Sequence, residues 1–157
     1  MKKITLTFGF LVFGLGTFQK ISAQIEKEEP QITYDKLYKQ ILELGIKFPD
    51  VVFAQAVLET GHFTSKLFRD SNNLFGMKVP SKRETLSVGK RKGGYAVFEN
   101  WEKSVNDYLL WQDYILRNKN INSQKEYLKL IDRIYAENEK YVLLLHRIMS
   151  KHQHIFN

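Results

Sequence analysis

Glu59 is the residue of this chain whose setting most asks for a chemical explanation. It stands near the end of FPDVVFAQAVLETG, residues 48–61. Pro49 and Asp50 predict a helix start, because proline fits the first turn and a carboxylate can accept from the free N–H groups there. Val51, Ala54, Val57 and Leu58 then recur at helical spacing, which predicts a helix buried along one side. Gly61 closes it in a left-handed conformation. Glu59 therefore falls in the last turn, beside the apolar stripe. Both the negative helix end and burial disfavour its charged form and push its pKa upward. A carboxyl group that holds its proton near neutral pH is what a general acid requires. The competing reading is a solvated glutamate at an ordinary helix end.

The elements that must position Glu59 follow from periodicity. A first helix is expected from about Thr33, with Tyr34, Leu37, Tyr38, Ile41 and Leu42 on one face and Gly45 ending it. After Gly61, residues 62–69 form a short connection that delivers the chain to Ser71-Asn72-Asn73-Leu74-Phe75-Gly76. LFGMKV, ETLSV and YAVF are then short apolar runs between turn-rich stretches, which predict a small antiparallel hairpin or three-stranded ribbon. Such a ribbon must lie against helices to be stable. Its tip, Lys90-Arg91-Lys92, reads first as a solvated turn, with contact to an anionic polymer as the sharper alternative. Asn100 is a good N-cap for a helix marked by Trp101, Val105, Tyr108, Leu109, Gln112 and Ile115. Ser123 and Glu126 have capping-box spacing before Tyr127, Leu128, Leu130, Ile131 and Ile134. A last helix is expected over about 138–151, carrying Val142, Leu145, His146 and Met149. The fold class is mainly α (α+β), a helical domain with a small β-hairpin lobe.

The chain has 157 residues, enough for one domain with a real core. Lys2 and Lys3, the apolar run from Ile4 to Phe18 and a small residue at Ala23 predict a secretory signal peptide over 1–23. Residues 24–32 read as a flexible lead-in and 33–157 as the folded domain. Export to the periplasm, cell envelope or exterior follows, with no integral membrane anchor after cleavage. The sequence has no cysteine, which removes disulfides, thiol nucleophiles and zinc–thiolate sites. Without Lys2, Lys3 and Lys20, the 24 basic residues fall to 21 against 17 acidic ones. That mild excess suits a polyanionic envelope but does not argue for nucleic acid. A monomer is expected, with no metal and no cofactor. His152 and His154 are the only close pair of histidines and make a weak metal signal, and no phosphate-cradling loop or nucleophile elbow is present.

Ala54-Gln55-Ala56-Val57-Leu58-Glu59-Thr60-Gly61, followed by Asn72-Asn73-Leu74-Phe75-Gly76-Met77-Lys78, resembles the glucosaminidase domain of bacterial peptidoglycan hydrolases, glycoside hydrolase family 73. Tyr95-Ala96-Val97-Phe98 with the helix from Trp101 to Tyr108, and Tyr135-Ala136-Glu137-Asn138-Glu139-Lys140-Tyr141, are similar to that family's third and fourth motifs. Glu137 and Asn138 stand where Thr and Asp are typical. The resemblance implies a lysozyme-like fold, peptidoglycan glycan strands as partner, and hydrolysis of the β-1,4 bond between N-acetylglucosamine and N-acetylmuramic acid. It makes Glu59 the catalytic acid and brings Tyr135 into the cleft, the alternative for Tyr135 being a core aromatic. Asn72, Asn73, Phe75, Tyr95 and Trp101 become candidate substrate-binding residues, with Phe98 and Trp111 as further aromatic candidates; each has a bland reading as turn former or core. Glycosidases of the usual kind need a second carboxylate about 5 to 9.5 Å away. Glu84, flanked by Lys82 and Arg83, is the candidate on the ribbon, with Glu99 behind it. Without it, the substrate's own 2-acetamido group can serve as nucleophile. A lytic transglycosylase, a non-catalytic glycan-binding domain, and an enzyme acting on chitin-like or glycoprotein glycans stay open.

Overall fold

The computed structural model describes residues 31–135 and 139–157. The expected signal segment, the lead-in up to Pro30, and Ala136, Glu137 and Asn138 of the fourth motif lie outside the described residues. Among the described residues no helix is long and apolar enough to cross a membrane.

Helix α1 spans Tyr34–Glu43, and Thr33 caps it by accepting from the Lys36 N–H at 3.2 Å. Leu37, Tyr38 and Ile41 are buried, whereas Leu42, expected on the same face, is 51% exposed; the buried stripe is narrower than the periodicity suggests. Helix α2 spans Pro49–Glu59. Every residue from Val51 to Val57 is buried, so the expectation of a helix covered along one side is corrected: α2 is the central element, packed against both α1 and α6. A run of Val, Phe and Ala with a single Gln has no polar face to give to water, and each large apolar side chain buried there contributes about 1.5–3 kcal/mol. Asp50 Oδ1 accepts from the Tyr38 hydroxyl at 2.7 Å, which ties α1 to the start of α2. Helix α3, Lys66–Ser71, is capped by Ser65.

The lobe that follows is smaller than the sequence suggests. Strands β1, Gly89–Lys90, and β2, Ala96–Val97, pair antiparallel with Gly89 opposite Val97, and one further bridge joins Lys78 to Tyr95. The expected strand over ETLSV does not form. Its backbone is engaged by a side chain instead: Asp107 Oδ1 accepts from the Leu86 N–H at 2.8 Å and from the Thr85 hydroxyl at 2.7 Å. The basic tip is tied down where Arg91 meets Asp70 at 3.0 Å.

Helix α4, Trp101–Leu116, starts at Asn100 as expected, and α5, Gln124–Ile134, carries the predicted capping box. Helix α6 spans Tyr141–Lys151, beginning three residues later than expected, and a short 3-10 turn over 153–155 follows it. The mainly helical architecture with a two-stranded lobe is that of the lysozyme-like class.

Candidate active site

The end of α2 is fixed before any partner arrives. Gly61, at φ +53, donates to the Leu58 carbonyl and His62 to the Val57 carbonyl, the paired bonds of a Schellman cap. The Thr60 hydroxyl donates to the Ala56 carbonyl at 2.7 Å and accepts from the Phe63 N–H at 3.0 Å. Glu59 is consequently held half-buried in a rigid last turn, pointing toward α6 and the lobe.

Two surfaces meet its two oxygens. From α6, the Tyr141 hydroxyl donates to Oε1 at 2.9 Å. From the lobe side, Gly76 comes so close that a Cβ built on it would lie 3.6 Å from Oε2. Gly76 sits at φ +62, a left-handed conformation that glycine adopts without strain. The turn carrying it is drawn tight by Asn73, whose Nδ2 donates to the Met77 and Ala96 carbonyls at 2.8 and 2.9 Å while its Oδ1 accepts from the Met77 N–H at 2.9 Å. Asn72, itself left-handed, donates to the Phe98 and Glu99 carbonyls.

Beyond Gly76 opens a cleft of about 400 Å³ lined by Gly76, Met77, Lys78, Pro80, Arg83, Trp111, Ile134 and Tyr135. Tyr135 forms one wall at the end of α5: its hydroxyl donates to the Phe75 carbonyl and its ring meets Trp111 edge-on at 5.5 Å. Burial first, and then the charge of Glu59, push the phenols of both Tyr135 and Tyr141 above their ordinary range, so both act as hydrogen-bond donors. Ile134, expected in the core, is 49% exposed on this cleft. A larger groove of about 660 Å³ runs between α5 and α6 past Leu128, Val142 and His146, but it touches none of the four motifs.

The sequence candidates divide. Tyr135, Gly76 and Trp111 line the cleft, and Glu59 reaches Gly76 from the end of α2. Tyr95 is half-buried beside it, with Lys78 Nζ 5.7 Å from its ring. Asn73, Phe75, Phe98 and Trp101 are buried; the Phe75 ring packs at a tilt against Tyr108, centroids 4.2 Å apart, and its carbonyl accepts from Tyr135. Glu84 is exposed on the loop before β1. Arg83, expected to keep Glu84 ionised, turns inward instead to a bidentate pair with buried Asp107, at 2.7 and 3.2 Å. Sequence reasoning gave no role to Tyr141, Gln55 or Asp107. The signal for Gln55 was there: it lies four residues before Glu59, on the same helix face. Among the described residues no group of three His, Asp or Glu is arranged to hold a metal.

Known proteins share this fold. The catalytic domain of the autolysin Auto from Listeria monocytogenes superposes with a TM-score of 0.55 at 22% identity, covering 78% of this chain and 86% of that one. A chain of a type VI secretion system effector–immunity complex from Pseudomonas protegens gives a TM-score of 0.58 at 16% identity, covering 78% and 87%. Protein bax of Escherichia coli K12 is 46% identical over 59 residues, 38% of this chain but only 21% of that protein. Residues 35–154 match the glucosaminidase family described as mannosyl-glycoprotein endo-beta-N-acetylglucosaminidase. With that match spanning all four motifs and both walls of the cleft, the chain belongs to the glucosaminidase family.

Proposed function

We propose that this protein is an exported endo-β-N-acetylglucosaminidase that hydrolyses the β-1,4 bond following N-acetylglucosamine in peptidoglycan, with Glu59 as general acid. The observation that carries the reading is that Glu59 stands beside Gly76, a residue that lines the cleft: Tyr141 engages Oε1, and Oε2 faces Gly76. A proton on the carboxyl passes to the glycosidic oxygen as the C–O bond breaks and its electron pair stays with the leaving sugar. Trp111, Tyr95 and Tyr135 offer aromatic faces and edges to sugar rings, as a glycan cleft requires.

Two observations favour peptidoglycan over a neutral glycan. Lys78 is exposed on the cleft, suited to the carboxylates that N-acetylmuramic acid and its peptides carry and that chitin lacks. The likeness to an autolysin catalytic domain points the same way. Export rests on residues 1–23 as a cleaved signal. For the second group, Glu84 is exposed on a loop clamped by Asp107 rather than on a strand, and serves as the base or stabilising carboxylate; the alternative is the 2-acetamido group as nucleophile with Tyr135 beside it.

Digestion of purified peptidoglycan, followed by borohydride reduction and mass spectrometry, tests the assignment. New reducing-end N-acetylglucosamine is the expected product. Anhydromuropeptides would replace it with a lytic transglycosylase, and binding without products would replace it with a glycan-binding domain. In the same assay Glu84→Gln lowers the rate if Glu84 is the second carboxylate and leaves it unchanged if the acetamido group does that work.

A further inference from the structure

A single hydrogen-bonded line runs through the core alongside α2 and ends on Glu59. Its far end is a peptide group in the loop before α2. The Lys47 N–H donates to Gln112 Oε1 at 2.8 Å, and the Lys47 carbonyl accepts from Gln112 Nε2 at 2.9 Å. A backbone donor and a backbone acceptor together leave the Gln112 amide one orientation. Its remaining Nε2 proton goes to the Tyr127 oxygen at 2.9 Å.

The later bonds run in one direction when each hydroxyl gives its single proton to the next acceptor along the line. Tyr127, already accepting from Gln112, donates to the Tyr108 oxygen at 2.8 Å. Tyr108 must therefore donate onward to Gln55 Oε1, at 2.5 Å. That bond orients the Gln55 amide, which presents Nε2 to the Tyr141 oxygen at 3.2 Å. Tyr141 is left to donate to Glu59 Oε1 at 2.9 Å. Tyr108, Tyr127, Gln55 and Gln112 are all at most 1% exposed, so water does not compete for these bonds.

We propose that this line is a positioning device for the carboxyl that gives its proton to substrate: it makes Tyr141 a standing donor to Glu59 Oε1, with Gln55 as the positioning residue that sets the direction. The destination of the proton rests on the reading of Glu59 as acid; the line itself does not. In the transfer the Glu59 carboxyl O–H bond breaks, an O–H bond forms on the glycosidic oxygen, and the C–O electron pair goes to that oxygen. Two tyrosines from neighbouring elements face Glu59, Tyr141 from α6 and Tyr135 from the end of α5, with Tyr108 and Tyr127 behind them. Lys140 immediately precedes Tyr141.

The test is a carbon-13 NMR titration of the Glu59 side-chain carboxyl in the native protein, Tyr141→Phe, Gln55→Met and Tyr108→Phe. A donor to a carboxylate favours the charged form, so its loss raises the midpoint. Tyr141→Phe raises it by about one pH unit. Gln55→Met and Tyr108→Phe raise it by less: the first removes the amide that donates to Tyr141 and the second frees that amide to flip, and either lets Tyr141 turn its proton away. Ser123→Ala, which removes only the α5 cap, leaves the midpoint unmoved while lowering thermal stability. In kinetics on peptidoglycan the alkaline limb of kcat moves up with the midpoint while KM holds. If Gln55→Met does not fold, Tyr108→Phe, which loses one oxygen atom, carries the comparison. Unshifted midpoints in Gln55→Met and Tyr108→Phe would overturn the proposal even if Tyr141→Phe shifts. Shifted midpoints in a protein that cleaves no peptidoglycan would remove the substrate reading and leave the line standing; cleavage with unshifted midpoints would do the reverse.

Discussion

The two halves of the molecule that meet at Glu59 are held by different physics. On the helical side, α2 is buried over seven consecutive residues and bonded end to end to α4, α5 and α6 through neutral side chains. On the other side, residues 72–98 contain two strands of two residues each and keep their shape through a few polar side chains, Asn72, Asn73 and Asp107. A wall made of many packed contacts tolerates the loss of one. A wall pinned by three side chains does not. Glu59 thus sits on the rigid half, while the half that faces it depends on single residues.

The largest effect on stability should come from breaking the lobe at Asp107. Asp107→Ala leaves Arg83, whose side chain is 7% exposed, without its partner, and frees the Leu86 N–H and the Thr85 hydroxyl. Removing one member of a buried pair costs about 3–5 kcal/mol. A fall of that size in the denaturant midpoint, with loss of activity, is expected. A fall no larger than that of an exposed substitution would mean the lobe is held by something else.

At the seam, Gly76→Ala sharpens the comparison. The added Cβ meets no hard clash, being 3.6 Å from Glu59 Oε2, but the left-handed backbone costs about 1–2 kcal/mol. Stability should drop modestly, and kcat should drop more, since the strain is relieved by moving the turn away from Oε2. An unchanged kcat would separate this turn from the chemistry.

The smallest effect probes the helical half. His152 is buried, its ring 4.4 Å from Tyr34 and 5.6 Å from Phe53, and both ring nitrogens lack a partner among the described residues. Burial, then the neighbouring Lys151, His62 and His154, hold its pKa below the ordinary value. The folded state thus resists a proton that the unfolded chain takes up near pH 6.5. Its contribution to stability is present above about pH 6.5 and is lost as the pH falls toward the folded value. Melting temperatures measured from pH 7.5 to 5 should decline, and His152→Leu should flatten the decline.

The same contrast explains what the sequence could reveal. The helix starts at Thr33, Asn100 and Ser123 were legible because caps are local: one side chain bonds a backbone group three residues away. Glu59 and the Gly76 turn could be singled out as candidates because their motifs are contiguous, and the structure sets them side by side. The ETLSV segment was misjudged because its apolar alternation is overridden by Asp107, more than twenty residues away. Arg83 was placed beside Glu84 by adjacency, whereas the fold turns it to that same Asp107. Tyr141 and Gln55 went unassigned because their role exists only once residues 47, 55, 108, 112, 127 and 141 converge. Seven-residue burial of α2 was hidden by a pattern that read equally well as one covered face.

The most direct test of the central claim is the release of reducing ends from purified peptidoglycan by the native protein and by Glu59→Gln, with the melting temperatures of both measured. Glutamine keeps the side chain's shape and can still accept from Tyr141, but its amide N–H protons are not acidic enough to be transferred. The account predicts a variant that melts like the native protein, still binds the polymer, and hydrolyses it about 100- to 10,000-fold more slowly. A Glu59→Gln protein that released reducing ends within a few fold of the native rate would contradict it.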